Sequence, residues 1–219
     1  DGDEPIQDEK GFMQKVAVGE TGLLIGEISE ENPFVGYTSK EATDSKIVKN
    51  VFQEGDAWFN TGDLIRDLGF GHAQFVDRTG DTFRWKGENV SSTEVEEVAN
   101  TLPQISLSAV YGAVMPDGDG RAGMISIIPE CGANSFDFKR LADFFQSALP
   151  SYAVPKFVRF QKDFEYTPTH KIKKVNLKME GFDIDKINDP LFVLLPGASE
   201  YQPLTRDIYL KIMAGGYRF

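Results

Sequence analysis

The feature that most constrains this chain is a change of pattern at Arg78. Before it, apolar segments are short and separated by glycine-rich turns; after it, strand-like runs alternate with capped, amphipathic helices. In the first third, strands are expected at 12–18 and 23–28, with turn chemistry from Gly19 to Gly22 between them. Residues 40–51 (KEATDSKIVKNV) read as a short helix. Strands follow around Ala57–Asn60 and His72–Asp77, with bends at Gly69 and Gly71. Past Arg78, residues 82–86 alternate as a strand, and SSTE at 91–94 forms a capping box, in which serine and glutamate side chains satisfy opposite orphan amides. Val95, Val98, Ala99 and Leu102 then recur at the spacing of one buried helical face, closed by Pro103. Strands are expected at 107–114 and 123–129, then a helix with Phe138, Leu141, Ala142 and Phe145 on one face, ending at Pro150. Val154–Phe160 is a further strand, and Ile208–Ile212 a last helix. The implied fold class is α+β: a small β-rich subdomain over 1–79, followed by a compact α+β domain over 80–219.

Charge and composition narrow the function. With 34 acidic against 23 basic side chains the net charge is −11, which argues against nucleic-acid binding, since that relies on basic surface. From Lys156 to Lys178, however, seven basic residues face only Asp163 and Glu165, a positive region open to an anionic small ligand. The single cysteine, Cys131, excludes an internal disulfide and fits a reducing, cytoplasmic setting. No apolar run approaches the ~20 residues of a membrane helix; LFVLLPGA at 191–198 is short and broken by Pro196. His72 and His170 lie far apart without cysteine partners, so no metal site is expected. GDGRAG at 118–123 matches a dinucleotide-loop pattern but runs into the strand-like MISIIP rather than a helix, and therefore reads as a hairpin loop. The opening DGDEPIQDEKG reads as the middle of a longer protein.

Three segments carry chemistry. In WFNTGD (58–63), Asp63 follows a tight Thr-Gly turn; its carboxylate can accept two hydrogen bonds, the number a ribose diol offers, or can cap its own turn. In VDRTGDTFRWKGENVSSTEV (76–95), Lys86-Gly87-Glu88 sits at a strand end, where glycine permits close approach by a ligand. In YTPTHKIKK (166–174), Lys171 lies in a basic stretch.

Taken in order, these segments resemble the consecutive signatures of the acyl-adenylate-forming superfamily. The tail resembles the ending of its fatty-acid-transport-protein and very-long-chain acyl-CoA synthetase branch: EGFD at 180–183, DPLFVLL at 189–195, YQPLTR at 201–206 and YRF at 217–219. The resemblance implies that Asp63 and Arg78 hold the nucleotide, and that Gly80 or Asp81 is the hinge to a mobile C-terminal lid. It also implies that Lys86, Gly87 and Glu88 serve the thioester step near the pantetheine arm, and that Lys171 stabilises the adenylation transition state. His170 stands where the family has glycine. Lys173 and Lys174 read as solvated, or as contacts for CoA phosphates. The implied substrates are a fatty acid, ATP and CoA, with Mg2+ held by the remainder of the N-terminal domain. The Ser/Thr/Gly-rich phosphate loop and the aromatic-Gly-x-Thr-Glu segment of the superfamily are absent, so the fragment alone is expected to be inactive. Two other readings stay open: an adenylation module loading a carrier protein, and a non-catalytic fatty-acid transport or interaction partner. Peripheral membrane association is also left open.

Overall fold

Glycine notches, capped helices and aromatic wedges set the architecture. The computed structural model describes residues 5–116, 120–130, 132, 135–167 and 170–219. The chain divides into two compact units, one running to Gly80 and the other from Asp81 to Phe219.

In the first unit, β3 (Ala57–Gly69) is the central strand. It pairs antiparallel with β1 (Thr21–Glu27), with β2 (Ile47–Lys49) and with β4 (His72–Arg78). Three expectations are corrected here. Residues 12–18 form no strand; only an isolated bridge joins Met13 to Gln7. The helix expected over 40–51 stops at Asp44 as α1 (Lys40–Asp44), because the β-branched run Ile47–Val48 is taken up by β3. Thr61-Gly62-Asp63 is an interruption inside β3 rather than a turn at its end. Leu23 pairs with Leu64 and Ile25 with Asn60, so one residue of β1 faces three of β3 in a bulge. Val51 is fully buried in this unit, whereas Ile6, Val18, Val35, Leu68, Phe70 and Phe75 are exposed.

The second unit carries the core. Its five-stranded sheet runs in the order β11-β10-β9-β8-β7. β7 (Ile105–Val114) and β8 (Arg121–Pro129) form a long antiparallel hairpin, and β9 (Phe157–Phe160) joins β8 in parallel. β7 is buried without alternation from Ser108 to Ala113, the mark of a strand covered on both faces. Of the 118–123 segment, Arg121 to Gly123 belong to β8, antiparallel to β7, and no helix directly follows them; residues 117–119 lie outside the described set. The tail extends the same sheet through β10 (Leu191–Val193) and β11 (Gln202–Pro203). The tail is locked by Tyr201, whose buried hydroxyl donates to the Pro155 carbonyl at 2.6 Å, and by Phe182 stacked on Phe157.

Each helix starts on a side-chain cap or a tether. α2 (Ser92–Ala99) is capped by Ser91, whose hydroxyl accepts from the Glu94 amide, and it buries Val95 and Ala99. α3 (Phe138–Ala148) is capped by Asp137 and buries Leu141, Ala142 and Phe145, each large side chain contributing ~2 kcal/mol. α5 (Arg206–Met213) is capped by Thr205. α4 (Lys174–Glu180) has no side-chain cap.

β5 (Thr82–Trp85) and β6 (Glu88–Ser91) form a separate hairpin. Phe83 seats it against the large sheet at two glycines. A Cβ on Gly112 would stand 2.6 Å from that of Phe83, and one on Gly123 would stand 3.4 Å from the tip of its ring. Trp85 then bridges Gly120.

Candidate active site

The bulge in β3 shapes the surroundings of Asp63 through short polar side chains. The Gly62 amide donates to Asn60 Oδ1 at 2.8 Å and the Asp63 amide to Thr61 Oγ1 at 3.0 Å, while the Thr61 hydroxyl donates to Leu24 O at 2.7 Å. Gly62 takes φ +80°, which glycine adopts at little cost. Asp63 and Arg78 are direct partners in the β3–β4 ladder, and Arg78 Nε donates to Asp63 Oδ1 at 3.0 Å. Both side chains keep access to solvent. The register therefore holds the Asp63 carboxylate in place through Oδ1. Lys46 was not singled out from sequence. Its ammonium would stand 3.1 Å from a Cβ on Gly62, which brings a further cation to the bulge. Read as part of a helix, it gave no signal of that neighbourhood.

Gly80, with φ +93°, is the last residue of the first unit, and Asp81 is the first of the second. Asp81 is held by Lys178 of α4, Nζ to Oδ1 at 3.3 Å. Lys86 and Gly87 form a two-residue hairpin turn with φ +52° and +86°, both left-handed as a type I′ turn requires. Lys86 Nζ lies 5.6 Å from the centre of the Trp85 ring. Glu88 opens β6 and is exposed. Close by, the Lys156 ammonium is pushed below the usual lysine range, chiefly by burial and then by Lys86.

Lys171 is exposed near the end of a short hairpin. Tyr166 bridges Ile172, the Thr167 amide donates to Lys171 O at 2.7 Å, and the Lys171 amide donates to Thr167 Oγ1 at 3.0 Å. His170 takes φ +56°, the conformation glycine would adopt freely, at a cost of ~1 kcal/mol for an ordinary residue. Pro168 and Thr169 lie outside the described residues. Lys174 departs from its expected solvated role. It is largely buried, with Nζ 2.8 Å from Glu96 Oε1 and 3.1 Å from Ser92 Oγ. The three candidate groups thus rest on separate elements: Asp63 and Arg78 on β3 and β4, the Lys86–Glu88 turn on β5 and β6, and Lys171 ahead of α4.

Comparison with known proteins places this arrangement in a class. The AMP-binding enzyme C-terminal domain matches residues 94–171. ATP-bound MatB from Rhodopseudomonas palustris superposes with a TM-score of 0.62 at 25% identity, covering 81% of this chain and 33% of that one. The o-succinylbenzoate CoA synthetase MenE of Bacillus subtilis, in complex with its acyl-adenylate, shares the fold with a TM-score of 0.60 at 22% identity, over 80% of this chain and 33% of that one. The fold is that of the C-terminal part of adenylate-forming enzymes.

Human long-chain fatty acid transport protein 3 is 42% identical over 98% of this chain and 32% of its own length. The medium/long-chain-fatty-acid–CoA ligase FadD6 of Mycobacterium tuberculosis is 44% identical over 91% of this chain and 33% of its own. The chain belongs to the fatty-acid-transport-protein and acyl-CoA synthetase branch of the acyl-adenylate-forming superfamily. It spans about a third of the length of the relatives it matches. No helix among the described residues is long and apolar enough to cross a membrane.

Proposed function

We propose that this chain is part of an ATP-dependent, AMP-forming fatty acid:CoA ligase acting on long or very long acyl chains. The observation that carries the reading is an exposed Lys171 next to the Tyr166–Ile172 bridge, in a chain that also pairs Asp63 with Arg78. In the first half-reaction a fatty carboxylate oxygen attacks the α-phosphorus of ATP and the bond to pyrophosphate breaks. Asp63 accepts from the ribose hydroxyls, and Arg78 keeps that carboxylate aimed. The Lys171 ammonium offsets the charge that grows on the non-bridging oxygens. In the second, the CoA sulfur attacks the acyl carbon, the bond to AMP breaks, and the turn at Lys86, Gly87 and Glu88 lines the approach of the thiol.

Residues 1–79 are read as the end of the N-terminal adenylation domain, and 80–219 as the mobile lid that turns about Gly80 and Asp81. The apolar side chains exposed in the first unit support its being completed by further protein. Among the described residues no group of three or more histidine, cysteine, aspartate or glutamate side chains is placed to hold a metal ion, and no step is routed through magnesium. Its ligands are assigned to the remainder of the N-terminal domain. A cytoplasmic enzyme, peripheral to membranes where its substrate resides, is the setting this reading implies.

Lys171→Ala in the full-length protein tests the assignment. Fatty-acid-dependent ATP–pyrophosphate exchange falls by about 10²-fold or more, the scale on which a lost transition-state donor acts, while thioester formation from supplied acyl-adenylate survives. Equal losses in both halves would remove Lys171 from the role. Absence of exchange in the unaltered full-length protein would favour a non-catalytic transport partner.

A further inference from the structure

We propose that Glu96 and Lys174 are positioning residues for Lys171. Their buried ion pair fixes the α4 end of the hairpin that presents the Lys171 ammonium. The inference rests on the role given to Lys171 above.

The hairpin is closed by the Tyr166–Ile172 bridge and by the two bonds between Thr167 and Lys171. Beyond the Tyr166–Ile172 bridge, the Lys173 amide donates to Glu165 O at 2.8 Å, and α4 then begins without a side-chain cap. The firm attachment comes at its first residue. Lys174 Nζ reaches Glu96 Oε1 at 2.8 Å and Ser92 Oγ at 3.1 Å, and the same Glu96 oxygen accepts from the Val110 amide of β7 at 2.5 Å. One ammonium is thereby tied to α2 and, through Glu96, to the central hairpin of the core. Ser92 is fully buried, and both charged side chains are less than one-fifth exposed. Burial raises the Glu96 carboxyl above the usual glutamate range, an effect that Lys174 and the Val110 amide oppose and Asp81 reinforces.

A buried pair of this kind is a poor source of stability but a strong fixer of geometry, since removing one partner strands the other. It lies three residues from Lys171, so a shift of the α4 start is passed directly to the hairpin. It also attaches that hairpin to the helix leaving β6, the strand that Glu88 opens. Lys174 cannot itself serve the reacting phosphate while its ammonium holds Glu96 and Ser92.

The test uses the full-length enzyme and both half-reactions. Lys174→Met should lower kcat of fatty-acid-dependent ATP–pyrophosphate exchange by about tenfold or more, within the range a ~1 Å misplacement costs. The KM for ATP and the rate of thioester formation from supplied acyl-adenylate should hold to within about twofold. Lys174→Arg should restore most of the exchange, because a guanidinium can grip the same carboxylate. Glu96→Gln, which can still accept from Val110 but loses the charge, should reproduce the selective loss and covers the case in which Lys174→Met fails to fold. Exchange unchanged in the folded variants, or both half-reactions falling together, overturns the inference. Lys171→Ala separates the two levels. If it leaves exchange intact, the role of Lys171 is wrong; if it abolishes exchange while Lys174→Met and Glu96→Gln do not, only the positioning claim falls.

Discussion

Arg159 offers the most demanding test of how the second unit is held together. It sits on β9 with its side chain only 8% exposed, and its guanidinium faces two carboxylates. Nε and Nη2 meet Asp189 Oδ2 at 2.8 and 2.7 Å, ahead of β10, and Nη1 meets Glu180 at the end of α4. Tyr111 lies beside it, its hydroxyl pushed up to about 12 chiefly by burial. Arg159→Met removes the cation and leaves both acids facing each other. Breaking a fully buried pair costs 3–5 kcal/mol; with Glu180 and Asp189 each about one-third exposed, the lower end applies, about 3 kcal/mol. For a unit of about 140 residues the unfolding entropy is about 0.3 kcal/mol per kelvin, so the melting temperature should fall by about 10 °C. Calorimetry at pH 7 measures this directly. The triple variant Arg159→Met, Glu180→Gln, Asp189→Asn should recover part of the loss, since no charge is then stranded. A single-variant loss below about 1 kcal/mol would refute the reasoning, because pairs so weak behave as surface pairs in water.

Two further outcomes follow from the structure. Lys156 has a folded-state pKa depressed chiefly by burial and then by Lys86, so the unfolded chain holds that proton more tightly. Its charge therefore opposes folding at neutral pH, and the cost fades as pH rises from the depressed value through 10.5. Lys156→Met should melt higher than the parent at pH 7, with the gap narrowing as pH approaches 10.5; a gap constant with pH would contradict the assignment. Gly112→Ala should cost about 1–3 kcal/mol by overpacking against Phe83 and Arg121, read from denaturant midpoints, because neither neighbouring Cβ can move without its strand.

Much of the second unit was legible because its signals are local. The Ser91 cap, the spacing from Val95 to Leu102 and the face from Phe138 to Phe145 each depend on residues within a turn or two, and the structure forms α2 and α3 there. The first unit was less legible. Val48 could extend a helix or enter a strand, and only the presence of Trp58 across the ladder decides it. Residues 12–18 read as a strand but find no ladder beyond the Gln7–Met13 bridge. At the candidate site, Asp63, Arg78 and Lys171 stand out as motif residues, whereas Lys46 and Glu96 carry no local mark.

By itself the chain of residues determined which groups could do chemistry and how its helices begin, because caps, turns and motif spacings act between near neighbours. Only the tertiary structure decided which of those groups are engaged. Apart from the family motif, Lys171 and Lys174 are alike as lysines of one basic stretch, yet one stands in solvent and the other is consumed by Glu96, on a helix some eighty residues earlier. The reason is physical: a charge's availability is set by what folds against it, and that partner is near in space while remote along the chain.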